Sequence, residues 1–465
     1  MDSKKTYIYV IIIAVLANFL AAYTSNTVVM ALPQIAYELK LSNIMQNWIV
    51  TIYLITIAVL SVPLGKIASK KGFKRSFIFG SIIFFLGAIG TVLASNIPTL
   101  FFFRIFQAIG ASFTFVCALS MIVSAVPPNK RGAAIGINIA SGHIGISLAP
   151  VLGGFLTYNF GWRSIFIITF PISILIILFT IFKVKDEWTL GEDDKIDTIG
   201  GIVYALGITT FIYGFTTLNQ LKGLIFTTIG IIILLLFIIF EIKSETPIFD
   251  ISLYKNKIFT LSNIAYLFSY IGVFAVTTIM NYHFQYIRSW NPDITGLILL
   301  ATPLTQSIIT PYSGRLSDRV NPQKLCSFGM FIVTISLIIL VSVNSKTDLW
   351  IIVFALAMEG LGYGLFLSPN TNSIMSSIPR ENTGMGSAAV TTIRMIGQTL
   401  SIGLLSLVFA IVMGNVLISP KVYPELAKSC QITLIIGVVL TIISLIASLI
   451  SMKINNKNSL KLSLN

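Results

Sequence analysis

Apolar stretches of some twenty residues recur from one end of the chain to the other, separated by short polar segments. A helix of about 20 apolar residues is long enough to cross a bilayer's hydrocarbon core. Within that core only helices and closed barrels can satisfy their own backbone groups. We count fourteen such stretches, beginning near Tyr7, Trp48, Ser76, Thr99, Ala133, Ser164, Thr198, Leu224, Phe259, Thr295, Leu325, Leu349, Gly386 and Ile432. The seventh and eighth are divided only by the turn Asn219-Gln220-Leu221-Lys222. The run from Leu349 to Pro369 carries a carboxylate, Glu359, near its middle, whereas the other acids lie in connecting segments or at the edges of runs. The pattern predicts an all-α polytopic membrane protein with fourteen spanning helices.

The polar joints divide this series. An acidic stretch, Lys183 to Asp197, follows the sixth run, and a second joint, Glu241 to Lys257, follows the eighth. The expected organisation is an N-terminal six-helix bundle (1–183), a cytoplasmic joint with two linker helices (184–258), and a C-terminal six-helix bundle with a tail (259–465). An internal repeat supports it. The segment after the second run, Gly65 to Lys70, aligns without gaps with Gly314 to Arg319. In the fourth run of each half, Arg104-Ile-Phe-Gln107-Ala-Ile-Gly110 lies over Leu356-Ala-Met-Glu359-Gly-Leu-Gly362, so Glu359 takes the place of Gln107. Repeats of this kind place a transported solute near the membrane midplane, between the halves.

Composition agrees: the chain is 55% hydrophobic and 10% charged, with a mean hydropathy of +0.90. A formal charge of +14 could suggest nucleic acid, but its distribution points to the bilayer instead. With both termini placed inside, most Lys and Arg fall in cytoplasmic segments, as the positive-inside bias requires. Lys66, Lys70, Lys71, Lys74 and Arg75 crowd one short loop, where anionic headgroups would attract them. An even number of spans preserves this asymmetry and an odd number spoils it. Cys117, Cys326 and Cys430 are widely separated and show no metal-ligand or disulfide spacing. Lys4 and Lys5 precede an apolar run too long for a signal-peptide core, so the first run reads as an uncleaved span.

Three local motifs carry more. In the first loop, Gly65-x-x-Ala68-Ser69-Lys70-x-Gly72-x-Lys74-Arg75 combines turn-forming glycines with cations, and a second copy holds Gly314, Asp318 and Arg319. The fourth run contains Arg104-x-x-Gln107-Ala-x-Gly110-Ala111, and the fifth Gly145-x-x-x-Ala149-Pro150-x-x-Gly153-Gly154. Small residues four apart let helices approach closely, and Pro150 removes a helix hydrogen bond. With Trp162-Arg163-x-x-Phe166 and Pro247-x-x-Asp250, these segments resemble the major facilitator superfamily, specifically its fourteen-helix drug/proton antiporter branch, from about Tyr7 to Ile454. The resemblance implies two six-helix bundles plus two inserted linker helices, alternating access, and a functional monomer. It also implies a proton-transfer role for Arg104. The chain departs from the family's pattern at Ser69 and Thr24, where many members carry aspartate, and at Ala149, where glycine is usual.

With Thr24 in that place, Glu359 is the leading embedded acid. Burial in hydrocarbon disfavours an ionised carboxylate relative to its protonated form. A site filled in turn by a proton and by a substrate's positive charge is the minimal basis for exchange. The alternatives are a permanent ion pair of Glu359 with Arg394 or Arg104, and an Arg104 that braces backbone carbonyls of the first helix. His143 and Glu38 are further proton-coupling candidates, and His283 near the end of the ninth run is a weaker one. Tyr23, Asn26, Tyr53, Gln107, Phe268, Tyr270 and Tyr282 are candidates for a cavity wall that receives flat lipophilic cations. The expectation is a proton-coupled multidrug exporter in a bacterial cytoplasmic membrane, with small lipophilic drugs, protons and lipid as partners and no cofactor, metal or nucleic acid. The alternative is a major facilitator carrier of one metabolite or antibiotic. No P-loop or catalytic constellation argues for an enzyme.

Overall fold

The structure is a computed structural model and describes residues 3–189, 198–218, 220–243, 251–317, 320–378 and 383–463. All regular elements among these residues are helical. The first six apolar runs form α1 (Ser3–Leu39), α2 (Asn43–Lys71), α3 (Phe73–Leu93), α4 (Ile97–Ala125), α5 (Pro128–Phe160), and the pair α6 (Ser164–Ile167) and α7 (Thr169–Lys183). The next two form α8 (Thr198–Thr216) and α9 (Leu221–Lys243), two separate helices. The ninth is α10 (Lys257–Val273), α11 (Val276–Tyr282) and a π-helical turn, His283–Ile287. The tenth is α12 (Pro292–Leu299) with α13 (Ala301–Ser317), and the last four are α14 (Pro322–Val341), α15 (Leu349–Ser376), α16 (Thr383–Val412) and α17 (Tyr423–Ser463).

Every one of the fourteen apolar runs is therefore helical. Among the described residues, thirteen segments are long and apolar enough to cross a membrane. In α5 the apolar portion found among the described residues is the shorter Ile144–Phe160. Boundaries follow local chemistry. Asn96, Asn256 and Asn321 cap α4, α10 and α14 by accepting from backbone N–H groups of the first turn, which offsets part of the unsatisfied helix start. Gly72 turns the chain between α2 and α3 at φ 104°, a conformation that costs a residue with a Cβ.

Two compact units result. The first comprises Met1–Thr209 and Trp290–Leu297, and the second Thr210–Ser289 and Ile298–Asn465. Within the first, α3 packs on α4 at backbone distance: a Cβ on Gly110 would overlap the backbone of Phe84 and sit 2.5 Å from the Gly80 carbonyl oxygen. The second repeats this seam between α14 and α15, where a Cβ on Gly362 would lie 2.6 Å from the Gly329 carbonyl oxygen. Gly110 and Gly362 are the residues that the internal alignment superimposes, so the repeat read in the sequence recurs as the same packing solution.

Candidate functional site

In the second unit, Glu359 lies on α15 with 3% of its surface exposed. The hydroxyl of Thr302, on α13, is 3.3 Å from its Oε2 and donates at 2.9 Å to the carbonyl of Leu356. A hydroxyl has one proton and two lone pairs. While Thr302 donates to Leu356, its oxygen can accept from a protonated Glu359; redirected, its O–H can donate to the ionised form. Gly360 makes this contact possible, because any Cβ there would overlap the Thr302 carbonyl. Glu359 enters no ion pair among the described residues.

Tyr363 stands one turn along from Glu359, on the same helix face. Its ring meets Tyr270 of α10 edge-on at 5.7 Å and stacks on Phe366 at 6.2 Å, and Tyr270 meets Tyr266 at 5.0 Å. The Tyr363 hydroxyl is buried with no hydrogen-bond partner among the described residues. On α16, Gly397 lets Tyr270 approach, and Arg394, one turn earlier, is half-buried on that helix. The structure thus gathers Glu359 and Tyr270 of the expected residues and adds Thr302, Tyr363 and Tyr266. Phe268 is half-buried and enters no ring contact among the described residues. Tyr282 is fully buried in a different aromatic group, with Phe409 at 5.9 Å and Tyr286 at 5.7 Å. His283, beside it, accepts a hydrogen bond from Arg288 at 3.1 Å.

In the first unit, Arg104 of α4 is fully buried, and its Nη1 donates to Gln107 Oε1 at 2.8 Å. Its guanidinium rests over Tyr53 of α2 at 4.2 Å and over Phe166 of α6 at 5.7 Å. No backbone carbonyl accepts from it among the described residues, so the bracing role offered by the sequence is replaced by a side-chain and aromatic environment. Arg104 Nε and Nη2, Gln107 Nε2 and the Tyr53 hydroxyl are buried without hydrogen-bond partners among the described residues. Each such orphan costs about 1–3 kcal/mol. On α1, Tyr23 stacks on Phe19 at 6.2 Å, Asn26 donates to the Ala22 carbonyl at 2.9 Å, and Thr24 donates to the Leu20 carbonyl at 2.8 Å.

Glu38, at the end of α1, is held in a brace. Its carboxylate accepts from Trp162 Nε1 at 2.7 Å and pairs with Arg163 at 2.7 Å, while Arg163 also donates to the carbonyls of Val92 and Ala94. This brace ties the ends of α1 and α3 to the turn after α5. In the first loop, Gly65 faces Val116, and Glu187 fills the space beside Gly72. Glu187 accepts from the backbone N–H groups of Lys74 and Arg75 at 2.8 and 3.2 Å, and Arg75 pairs with it at 3.7 Å. A carboxylate thereby sits at the positive end of α3. On α5, Gly145 packs against the Phe19 carbonyl, Gly153 against Thr27 and Gly154 against Pro292, and Pro150 lies inside the helix. Gly314 faces Ser368 on α15. Asp318 and Arg319 lie outside the described residues, as do Asp250 and the side chain of His143.

Comparison with known proteins agrees with this architecture. The chain is 32% identical over 410 residues to the riboflavin transporter RibZ of Clostridioides difficile (strain 630), covering 88% of this chain and 89% of that one. It is 26% identical over 416 residues to the multidrug resistance protein Stp of Mycobacterium tuberculosis (strain ATCC 25618 / H37Rv), covering 88% and 76%. Its fold is similar to that of a bacterial homolog of the human lysosomal transporter Spinster, with a TM-score of 0.72 at 15% identity over 97% of this chain and 98% of that chain. Residues 14–262 and 262–462 match the Major Facilitator Superfamily, and the chain belongs to that family of membrane transporters.

Proposed function

We propose that the protein is a proton-coupled antiporter that exports planar lipophilic compounds. The observation that carries this reading is Glu359, buried at mid-span with a hydroxyl partner and no ion pair among the described residues, one turn from a wall of tyrosines. A carboxylate so placed exchanges a proton for a cargo's positive charge or polar group, and the aromatic wall favours flat rings. Alternating access would be a rocking of segments 1–183 and 259–465 about the joint and linker helices of 184–258, in a cytoplasmic membrane with both termini inside and a monomer as the working unit. One charge moved through 100 mV supplies about 2.3 kcal/mol, which sustains a concentration ratio of roughly fifty.

A second reading is favoured by the similarity to a riboflavin transporter: the same machinery serving a single ring-bearing metabolite. Inverted vesicles separate the two. Under the first reading, vesicles take up fluorescent planar lipophilic dyes with substrate-dependent proton release, and Glu359→Gln, inserted and folded at matched expression, abolishes that release. Equal coupled transport by native and variant chains removes Glu359 from the mechanism. Transport of riboflavin alone, across a panel of flat dyes, selects the second reading.

A further inference from the structure

The first unit holds a set of buried donors that the proton site leaves unused. Nε and Nη2 of Arg104 are the side-on edge of the guanidinium, the edge that grips two oxygen atoms at once. Both are buried and unpartnered among the described residues, whereas Nη1 is taken by Gln107. Gln107 Nε2 is also unpartnered. These three atoms can only donate, and the neighbouring unpartnered Tyr53 hydroxyl can donate or accept. Buried donors are ordinarily satisfied by protein or ordered water. The surrounding helices offer no acid: α2, α4 and α5 contain none, and the carboxylate on α1, Glu38, is held by Trp162 and Arg163. The Tyr53 and Phe166 rings lie 4.2 and 5.7 Å from the guanidinium carbon and offer π faces, not hydrogen-bond acceptors, to the fork.

We propose that Arg104, Gln107 and Tyr53 form a receptor for an oxygen-rich edge of the transported solute: adjacent ring carbonyls or a carboxylate on a planar molecule. The inference rests on the transport reading and specifies its cargo. A planar cation without acceptor oxygens gains nothing from this fork and is repelled by its charge. A neutral or anionic ring system with oxygens on one edge satisfies all three donors and leaves its ring free for aromatic contacts.

The test is equilibrium binding to the purified full chain in lipid nanodiscs, read by fluorescence. The probes are riboflavin (ring carbonyls), fluorescein (a carboxylate) and ethidium (no acceptor oxygen), tested with native, Arg104→Gln, Arg104→Lys and Gln107→Leu chains. Arg104→Gln is expected to weaken riboflavin or fluorescein binding by about tenfold or more, and whichever of the two responds identifies carbonyl or carboxylate as the natural edge. Ethidium binding is expected to hold or tighten. Arg104→Lys keeps the charge but not the fork, and should also lose most of the affinity. If Arg104→Gln does not fold, Arg104→Lys and Gln107→Leu, checked by thermal unfolding, carry the comparison. The proposal is overturned if the native chain binds neither oxygen-bearing probe, if the folded variants bind them as the native chain does (the donors then hold water only), or if ethidium loses as much. Because binding is read without a proton gradient, this result is independent of whether Glu359→Gln keeps its coupling.

Discussion

At the scale of single residues, two side chains around Glu359 can be separated by what they lose. Thr302→Val keeps the shape but removes the oxygen that serves both the protonated and the ionised carboxylate. Substrate-dependent proton release in vesicles should fall several-fold, and Thr302→Ser should restore it. A Thr302→Val chain that couples normally would make that contact incidental. Tyr363→Phe removes a buried hydroxyl without a described partner but keeps the ring contacts with Tyr270 and Phe366, so stability should hold or rise. Tyr363→Leu removes the ring, and transport of flat compounds should drop by about two- to tenfold, since an aromatic contact contributes about 0.5–1.5 kcal/mol beyond its area. Measuring KM and kcat for the pair assigns the effect to hydroxyl or ring. Glu359 was legible in the sequence because a charge stands out in an apolar run, and Tyr363 could have been read from its spacing of four. Thr302 could not, because it arrives from another helix and a threonine in a span usually bonds its own backbone. The contacts of Glu38 were hidden for the same reason: its partners, Trp162 and Arg163, lie more than a hundred residues away.

At the scale of elements, the helices were legible because hydrocarbon leaves the backbone no other economy, and the repeat was legible because both halves solve the same packing problem. The seams Gly80–Gly110 and Gly329–Gly362 bring α3 to α4 and α14 to α15 at backbone contact. Overpacking a well-filled interior costs about 1–3 kcal/mol and more where backbone blocks the new atoms. Gly110→Val and Gly362→Val should each lower the unfolding temperature in detergent by several degrees or prevent insertion. Gly414→Ala serves as a control: nothing lies within 4 Å of its Cβ position, and its cost is confined to the positive φ of 71°. Equal behaviour of all three variants would mean that the seams are loose. What the sequence left hidden here is the cap on α3. Ser69 stands where a family aspartate was expected, and the carboxylate that reaches this loop is Glu187, from beyond α7.

At the scale of the whole molecule, direction of transport depends on which face of the membrane each loop occupies. By the positive-inside bias, the dense cations of the loop after α2 are expected inside. With both termini inside, alternation of the spans then puts the α14–α15 loop outside. The chain is well suited to testing this, because its three cysteines, Cys117, Cys326 and Cys430, are all buried and give little background to a thiol reagent. Lys71 lies at the exposed end of α2 and Lys346 in the exposed turn after α14. A membrane-impermeant maleimide applied to intact cells should label Lys346→Cys and leave Lys71→Cys unlabelled until the membrane is opened. Labelling of both in intact cells would break the fourteen-helix order, because nine spans, an odd number, separate these two loops in it. The reversed pattern would invert the chain: proton entry from outside would then reach Glu359 through what is here assigned as the cytoplasmic face, and the exporter reading would give way to its mirror image.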